Sequence, residues 1–320
     1  MKKLRCAILD DYQDISTKIA DWAPLREQVD LVVFREHFSQ QEALVAAVAD
    51  CEVIVIMRER TPFPKALFEK LPRLKLLVMS GMRNAAIDVA AAAAHGVTVC
   101  GTASSSEPPA ELTWALLLAL ARNVVGESIA FRRSGPWQSS VGIDLQGKRL
   151  GLLGLGKIGS KVAKVGAAFG MDVVAWSPNL TKARAAEVGV TRAESKEALL
   201  ETSDFVSIHL VLGERSRGLI GRAEFERMRP TAFLINTSRA QIVDQPALVE
   251  ALKRGTIAGA AVDVFEVEPV PEGDVFRTLP RLLATPHLGY VTRNNYATYF
   301  REAVEDIQAF LAGAPIRKLS

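Results

Sequence analysis

Three ionisable side chains in the last third of the chain are suited to binding a carboxylate and to acid–base chemistry. Arg239 follows a strand-like apolar run in the segment INTSRA, and its planar guanidinium can bind a carboxylate through two parallel hydrogen bonds. Glu268 comes 29 residues later and His287 a further 19 residues on, each near the end of another strand-like run. A carboxylate next to a histidine favours the imidazolium, which can donate a proton near neutral pH. Taken singly, each of the three also fits an ordinary surface or core position.

A glycine-rich motif, GLGKIG from Gly154 to Gly159, indicates dinucleotide binding. It directly follows the strand-like segment KRLGLL and directly precedes a helical stretch. In that setting Gly154 makes a tight turn, Gly156 lets a pyrophosphate approach the backbone, and Gly159 lets the helix lie close to the strand. The N–H groups at the helix start, around Lys157 and Ile158, are expected to receive the phosphates of NAD or NADP.

The residue expected to meet the adenosine ribose is not acidic. Sites for NAD carry an aspartate or glutamate about 20 residues after the glycine motif. Here the next strand-like run, VVAW, is followed by Ser177, with the basic residues Lys182 and Arg184 a few positions on. Because no carboxylate repels a 2′-phosphate, NADP(H) should be accepted at least comparably with NAD(H).

Composition and charge narrow the class of protein. The 320 residues, 49% hydrophobic and 23% charged, suggest about two globular domains. The 39 Lys and Arg against 36 Asp and Glu leave a net charge of +3 without a long single-sign block, which indicates neither a nucleic-acid nor a membrane partner. Three widely spaced cysteines are typical of reduced thiols, and the basic start is too short for a signal peptide, so a cytoplasmic location is expected. No Cys/His spacing indicates a metal site.

The elements that must position these residues alternate between strand and helix. Short apolar runs separated by helix-forming stretches recur from Leu4 to Cys100 and then break into the polar segment GTASSSEPP. A second alternating series starts at Lys148, and its strand-like runs are residues 149–153, 172–176, 205–208, 232–236, 258–263 and 282–285. Six strands in this rhythm predict a doubly wound parallel sheet, so the fold class is α/β with two such domains.

Two segments between the two series suggest contact with a partner. A helix predicted from Pro108 to about Arg122 is apolar nearly all round, so it is either buried between domains or subunits or an internal core helix. Residues 134–147 are irregular, carry Trp137, and are interpreted as an arm that reaches a second subunit.

The order and spacing of the motifs resemble the D-isomer-specific 2-hydroxyacid dehydrogenases. The motifs are GLGKIG, INTSRA with VDQPAL, GAAVDVFEVEP and TPHLGY, and together they span much of the chain. The resemblance implies a Rossmann domain for the cofactor, residues 102–290, inserted in a flavodoxin-like substrate domain, residues 1–101 and 291–320. It also implies a homodimer.

The resemblance assigns roles to individual residues. Arg239 would bind the substrate carboxylate and orient the keto group, His287 would be the acid/base, and Glu268 would hold His287 protonated. Asp263 would meet the nicotinamide carboxamide. The other implied cofactor contacts, besides the glycine motif, are Ser177, His209, Thr237, Ser238 and Gly289.

A glycine loop in the first domain is the implied second contact of the substrate. The segment SGMRN aligns with the family's loop whose backbone N–H groups receive the carboxylate, which makes Gly81, Met82 and Arg83 substrate-binding candidates. The segment departs from the family's usual GVGVDNID and keeps only Gly81 and the later Ile87-Asp88.

The implied activity is that of an NAD(P)-dependent D-2-hydroxyacid dehydrogenase, or 2-keto acid reductase. Hydride would pass between the nicotinamide and the carbonyl carbon of a short acid such as glyoxylate or hydroxypyruvate. The particular acid, the physiological direction and the preferred cofactor stay open. Formate or phosphite oxidation on the same fold is disfavoured, because Pro286 precedes His287 where the family's formate enzymes have glutamine. The remaining alternative is a dinucleotide-sensing binding protein, like the family's corepressors.

Overall fold

The computed structural model describes residues 3–319 and divides the chain into two compact units. The first unit contains the residues up to Ser105 together with those from Val291 onward, and the second is Ser106–Tyr290. The predicted first boundary, after residue 101, lies four residues earlier within the same polar segment.

The strands and helices follow each other in alternation. The strands are β1 (Leu4–Ile8), β2 (Val29–Val33), β3 (Val53–Ile56), β4 (Leu76–Met79), β5 (Thr98–Gly101), β6 (Arg149–Leu153), β7 (Asp172–Trp176), β8 (Thr191–Arg192), β9 (Phe205–Ile208), β10 (Phe233–Asn236), β11 (Gly259–Val262) and β12 (Leu282–Ala284). The helices are α1 (Ser16–Ile19), α2 (Gln41–Val48), α3 (Lys65–Phe68), α4 (Val89–Ala94), α5 (Glu107–Ala121), α6 (Val124–Arg132), α7 (Lys157–Ala168), α8 (Lys182–Val188), α9 (Lys196–Thr202), α10 (Arg222–Arg227), α11 (Gln245–Arg254) and α12 (Arg293–Leu311).

The first unit is built on a parallel sheet with the strand order β2-β1-β3-β4-β5, which is the flavodoxin-like order. Strands β3 and β4 consist of buried apolar residues throughout, as expected where helices cover both faces of a parallel sheet. Helix α12 packs against β4 and α1 and buries Tyr299, Phe300 and Ile307, so the end of the chain completes this unit's core.

The second unit is a doubly wound parallel sheet with the order β12-β11-β10-β9-β6-β7-β8. Its centre is the Rossmann arrangement, in which the strand order reverses beside β6. Among the described residues the sheet has seven strands, so the prediction of six strands was wrong by one. The additional strand, β8, has two residues at the sheet edge, and a pair that short leaves no apolar run to recognise. The predicted α/β class with two doubly wound sheets is confirmed.

Helices α5 and α6 are joined by Asn123, which has a left-handed backbone conformation. Helix α5 buries Trp114, Leu116 and Leu117 in the core of the second unit. Among residues 3–319 no single helix is both long and apolar enough to cross a membrane; α5 and α6 together meet that length and composition, with a bend of 63° between them.

A hydrogen bond between Arg317 and buried Asp306 connects the last described residues to α12 in the first unit. The backbone of residues 317–319 runs beside β5, with the Leu319 N–H donating to the Val99 carbonyl at 2.8 Å. Arg317 Nε donates to Asp306 Oδ1 at 3.0 Å, and the Asp306 side chain has no exposed surface. Its Oδ2 is buried and accepts no hydrogen bond within the described residues. Burial raises the pKa of Asp306 to about 7, against the attraction of Arg317 and with the repulsion of Glu302 and Glu305.

The stability of the protein should therefore depend on the protonation of Asp306. In an unfolded chain an aspartate loses its proton near pH 4, whereas folded Asp306 keeps it up to about pH 7. Proton binding by Asp306 therefore stabilises the folded protein. This stabilisation is complete at low pH and is lost as the pH rises through about 7, the pKa of Asp306 in the folded protein. Between pH 5 and pH 8 the free energy of unfolding of the wild type should fall more steeply than that of Asp306→Asn, by at most about 1.4 kcal/mol per pH unit.

Chemical unfolding at several pH values measures this difference. Asp30→Asn, at an exposed position of β2, is the matched control and should follow the wild type. If the Asp306→Asn and wild-type curves run parallel from pH 5 to pH 8, Asp306 does not carry the pH dependence.

Candidate active site

The predicted segments of the second unit lie together at one edge of its sheet. His287, Asp263, Arg239, His209, the glycine motif and Ser177 follow β12, β11, β10, β9, β6 and β7 in turn. These six strands are consecutive neighbours in the sheet and run parallel, so all six segments emerge at their carboxyl ends. Ligands of open α/β sheets bind at this edge.

The glycine motif has the shape that a pyrophosphate requires. Gly154 has φ of +104°, and a Cβ there would come within 2.6 Å of the His209 carbonyl oxygen. A Cβ on Gly159 would overlap the Gly154 carbonyl oxygen, whereas a Cβ on Gly156 would meet nothing within 4 Å. The first and third glycines are thus required by close backbone contacts, and the second faces open space where a phosphate can approach.

Helix α7 starts directly after this turn and supplies hydrogen-bond donors. No side chain caps its first turn, so the backbone N–H groups at its start, beginning with Lys157 and Ile158, can receive an anion. Lys157 is exposed and Ile158 is half-buried. The turn and the helix start therefore fit a dinucleotide pyrophosphate.

His209 supports the glycine turn from the neighbouring strand. Its Nε2 lies 2.9 Å from the Ser207 hydroxyl, and its backbone N–H donates to Leu153 at 2.8 Å. Desolvation lowers the pKa of His209 to about 4, so the ring is neutral at physiological pH. Its predicted contact with the cofactor stays a prediction.

The segment after β10 is fixed by its own hydrogen bonds. Thr237 shares a 2.8 Å hydroxyl–hydroxyl hydrogen bond with Thr113 of α5, and the Ser238 hydroxyl donates to the Leu210 carbonyl at 2.5 Å. The Asn236 amide donates to the Arg239 carbonyl at 3.0 Å. Arg239 Nη1 donates to the Ser238 carbonyl at 2.8 Å, so the half-buried guanidinium is held beside the strand end.

Asp263 organises the turn that carries the histidine. Its carboxylate is buried; Oδ1 accepts from the Thr285 hydroxyl and from the Leu288 N–H, both at 2.7 Å, and Oδ2 accepts from the Gly289 N–H at 2.8 Å. These partners lie on both sides of His287. Burial raises the pKa of Asp263, although the three donors and the nearby His287 act in the opposite direction.

His287 forms a short hydrogen bond with Glu268. His287 Nδ1 lies 2.7 Å from Glu268 Oε2, and the side chains are only 19% and 27% exposed. Glu268 Oε1 accepts the Phe265 N–H at 2.9 Å, which fixes the carboxylate, and the imidazole contacts the Tyr290 ring edge to face with centroids 5.1 Å apart. Since Nδ1 is engaged by the carboxylate, Nε2 is the nitrogen available to a reacting group.

The glycine loop of the first unit follows β4. Gly81 has φ of +92°, and its N–H donates to the Thr102 hydroxyl at 3.0 Å. Within residues 3–319 the backbone N–H groups of Met82 and Arg83 have no acceptor, and both residues are exposed. The loop therefore offers the backbone N–H groups of Met82 and Arg83 to a ligand, whereas the N–H group of Gly81 already donates to Thr102.

The residues around Ser177 differ from the sequence expectation. Arg184 donates from Nη2 to the Ser160 hydroxyl at 3.1 Å and pairs with Glu187 at 3.0 Å, so it is directed towards α7. A different arginine, Arg215, donates to Asn179 Oδ1 at 3.4 Å. Sequence reasoning missed Arg215 because it lies in the loop after β9, far along the chain from Ser177.

Known proteins of one family share this sequence and fold. A family model described as the NAD-binding domain of D-isomer specific 2-hydroxyacid dehydrogenases matches residues 114–289. Glyoxylate reductase from Aeropyrum pernix is 40% identical over 257 residues, which are 77% of this chain and 76% of that protein. D-3-phosphoglycerate dehydrogenase from Methanocaldococcus jannaschii is 36% identical over 85% of this chain, but the match spans only 52% of that longer protein.

A solved structure shows the same relationship. The crystal structure of a phosphoglycerate oxidoreductase from Vibrio cholerae is 35% identical, covers 97% of this chain with 100% of its own, and has a TM-score of 0.92. The predictions of the family, of an oxidoreductase for 2-keto and 2-hydroxy acids, and of NAD or NADP as its cofactor are confirmed by these matches. This chain belongs to the D-isomer-specific 2-hydroxyacid dehydrogenase family.

Proposed function

We propose that the protein reduces a short 2-keto acid to the D-2-hydroxy acid, with His287 as the proton donor. The observation that carries this proposal is the 2.7 Å contact between His287 Nδ1 and Glu268 Oε2. A half-buried carboxylate fixed by a backbone N–H stabilises the imidazolium, and reduction of a keto group requires a proton for the oxygen. A histidine that served only to fill space would not need this partner.

The chain's own residues orient the acid and supply the proton. When bound, the nicotinamide supplies the hydride that adds to the carbonyl carbon. His287 gives the proton on Nε2 to the keto oxygen, and Glu268 on Nδ1 offsets the charge of the imidazolium before transfer. The positive charge of Arg239, at the carboxyl end of β10, attracts the substrate carboxylate and opposes the build-up of negative charge on the oxygen.

The turn around His287 sets the direction of the ring. His287 has φ of +52°, a left-handed conformation that costs a non-glycine residue roughly 1–2 kcal/mol. The three hydrogen bonds to Asp263 stabilise this turn, because each donates to a buried carboxylate. We therefore assign Asp263 as a positioning residue for His287, in addition to the predicted contact with the nicotinamide.

Similar proteins point to the size of the substrate. The relatives named above act on glyoxylate or on 3-phosphoglycerate, which are both short 2-keto or 2-hydroxy acids. We propose glyoxylate, hydroxypyruvate or a related short acid for this chain. The substrate-binding role of Gly81, Met82 and Arg83 stays a prediction; the exposed N–H groups of Met82 and Arg83 support it, and the engaged N–H of Gly81 does not.

A panel of short 2-keto acids tests the function. Glyoxylate, hydroxypyruvate, pyruvate and 3-phosphohydroxypyruvate are assayed with NADH and with NADPH by loss of absorbance. At least one acid should be reduced, with the D-hydroxy acid as the product wherever the product is chiral, and His287→Ala should lower kcat for it by roughly 10² to 10⁴-fold while the dissociation constant of the cofactor stays unchanged.

A second histidine provides the control for this experiment. His95 is exposed at the end of α4, and His95→Ala should keep the wild-type kcat. A protein that binds the cofactor tightly but reduces none of the acids would refute the enzyme and support the dinucleotide-sensing alternative. Equal kcat values in His287→Ala and the wild type would remove His287 as the proton donor.

We also propose that two copies of the chain associate through α6 and the arm after it. Apolar side chains are concentrated on this surface and are strongly exposed: Val124, Val125, Ile129, Phe131, Trp137 and Val141 are between 44% and 98% accessible. Glu127 of α6 accepts hydrogen bonds from Ser139 and Ser140, which tie the arm to the helix. An ordered apolar surface of this kind is typical of a subunit interface.

The three unpaired cysteines support the proposed cytoplasmic location.

Sedimentation velocity tests the dimer. The wild type should sediment as a dimer at micromolar concentration, and Phe131→Glu should shift it towards monomer because a charge is then buried at the interface. Val165→Glu, on the partly exposed face of α7, is the control and should leave the dimer intact. A wild-type protein that sediments as a stable monomer would contradict the proposed interface.

A further inference from the structure

We propose that Arg215, together with Ser177 and Asn179, forms a subsite for the 2′-phosphate of NADP(H), so that the protein binds NADP(H) more tightly than NAD(H). The inference rests on the proposed function only for the class of cofactor. It concerns binding, which can be measured without turnover.

The first support is the residue at the ribose position. Strand β7 ends at Trp176, and half-buried Ser177 is the next residue. A carboxylate at this point would accept hydrogen bonds from the ribose hydroxyls and repel a phosphate carrying nearly two negative charges. The serine hydroxyl is neutral and can donate to a phosphate oxygen, so the position tolerates the 2′-phosphate.

The second support is an open cavity that begins at Ser177. It has a volume of about 560 Å³ and is lined by residues 177–179 and 210–216. Its walls include Pro178, Leu210, Val211 and Leu212, and Val211 is 81% exposed although it is apolar. An apolar slot beside the end of β7 suits the flat adenine ring of a dinucleotide, whose ribose would then lie next to Ser177.

The third support is the placement of Arg215 in the same lining. Its Nη1 donates to Asn179 Oδ1 at 3.4 Å, which brings the guanidinium next to the turn that contains Ser177. The guanidinium has five N–H donors in a planar fork, a geometry that matches two oxygens of one phosphate. Arg215 is exposed, so it can reorient towards a ligand without breaking core contacts.

The loop that carries Arg215 is held in shape by a buried serine. The Ser216 hydroxyl accepts the Gly213 N–H at 2.9 Å and donates to the Val211 carbonyl at 2.8 Å. The Arg217 N–H donates to the Gly213 carbonyl at 3.0 Å, which closes a tight turn around Arg215. The arginine is therefore presented from a defined backbone rather than from a loose loop.

Neighbouring charges make the proposal specific to Arg215. Arg184 is occupied by Glu187 and by the Ser160 hydroxyl, and exposed Lys182 does not line the cavity. Glu214 does line the cavity and carries the charge that opposes a phosphate. Arg215 is thus the residue of this cavity lining whose positive charge attracts a phosphate, and the negative charge of Glu214 weakens that attraction.

Calorimetric titration with two ligand pairs tests the subsite. The pairs are NADPH with NADH, and 2′,5′-ADP with 5′-AMP; the members of each pair differ only in the 2′-phosphate. For the wild type the phosphorylated member should bind more tightly in both pairs. Arg215→Met should weaken its binding at least about tenfold and change that of NADH and 5′-AMP by less than about twofold. Glu214→Gln should tighten NADPH binding.

Arg217→Met is the matched control, because Arg217 is exposed on the same loop but outside the cavity lining, and it should change neither pair. The proposal is overturned if Arg215→Met weakens NADH and NADPH equally, since the arginine would then act only on loop structure. It is also overturned if the wild type binds NADH as tightly as NADPH or more tightly. Tight 2′,5′-ADP binding without reduction of any acid would refute the proposed reaction and leave the subsite standing. If the protein reduces an acid but Arg215→Met prefers NADPH over NADH as much as the wild type does, the subsite is refuted and the proposed reaction stands.

Discussion

The proposed acid–base site depends on the hydrogen bonds that the buried carboxylate of Asp263 accepts. Asp263 is the residue directly after β11. The neighbours of β11 in the sheet are β10, which ends before Arg239, and β12, which ends before His287. The oxygens of Asp263 accept three hydrogen bonds from residues on both sides of His287, and Asp263 has no exposed surface. Without these acceptors the N–H groups of Leu288 and Gly289 would lose charge-assisted partners, and the left-handed conformation of His287 would have little to stabilise it.

The sheet of the second unit explains why residues far apart in sequence share one edge. Parallel strands present all their carboxyl ends on the same side, so loops that follow consecutive strands converge there. The segments predicted to bind the nucleotide follow β6, β7 and β9, and the segments with the proposed acid–base residues follow β10, β11 and β12. The reversal of strand order beside β6 opens the space into which a dinucleotide can extend.

Much of this arrangement follows from local sequence signals. Continuous apolar runs predict strands such as β6 and β9, and the three glycines predict a turn whose close contacts the structure contains. The acid–base residues are recognisable because each follows such a run. The two-residue strand β8 has no comparable signal, since it pairs through its backbone at a sheet edge.

Other features depend on the tertiary structure and leave no local pattern. Lys182 and Arg184 are near Ser177 in sequence, yet helix α8 directs Arg184 to Ser160, whereas Arg215 approaches from another loop. The hydrogen bonds of Asp263 to the histidine turn join residues more than 20 positions apart, so spacing alone suggests only a cofactor contact. Helix α6, which carries exposed apolar side chains, was likewise not predicted from the sequence.

The central claim is that the carboxylate of Glu268 assists proton donation by His287, and the pH profile of Glu268→Gln tests it most directly. The measurement is kcat/KM for reduction of the preferred keto acid between about pH 5 and pH 10, with exposed Glu266→Gln as the matched control. Glutamine keeps the shape of the side chain but removes the negative charge that stabilises an imidazolium at His287. The high-pH limb should then move to lower pH in Glu268→Gln alone, with a smaller loss of activity at acid pH. Superimposable profiles of the wild type and Glu268→Gln would contradict the account.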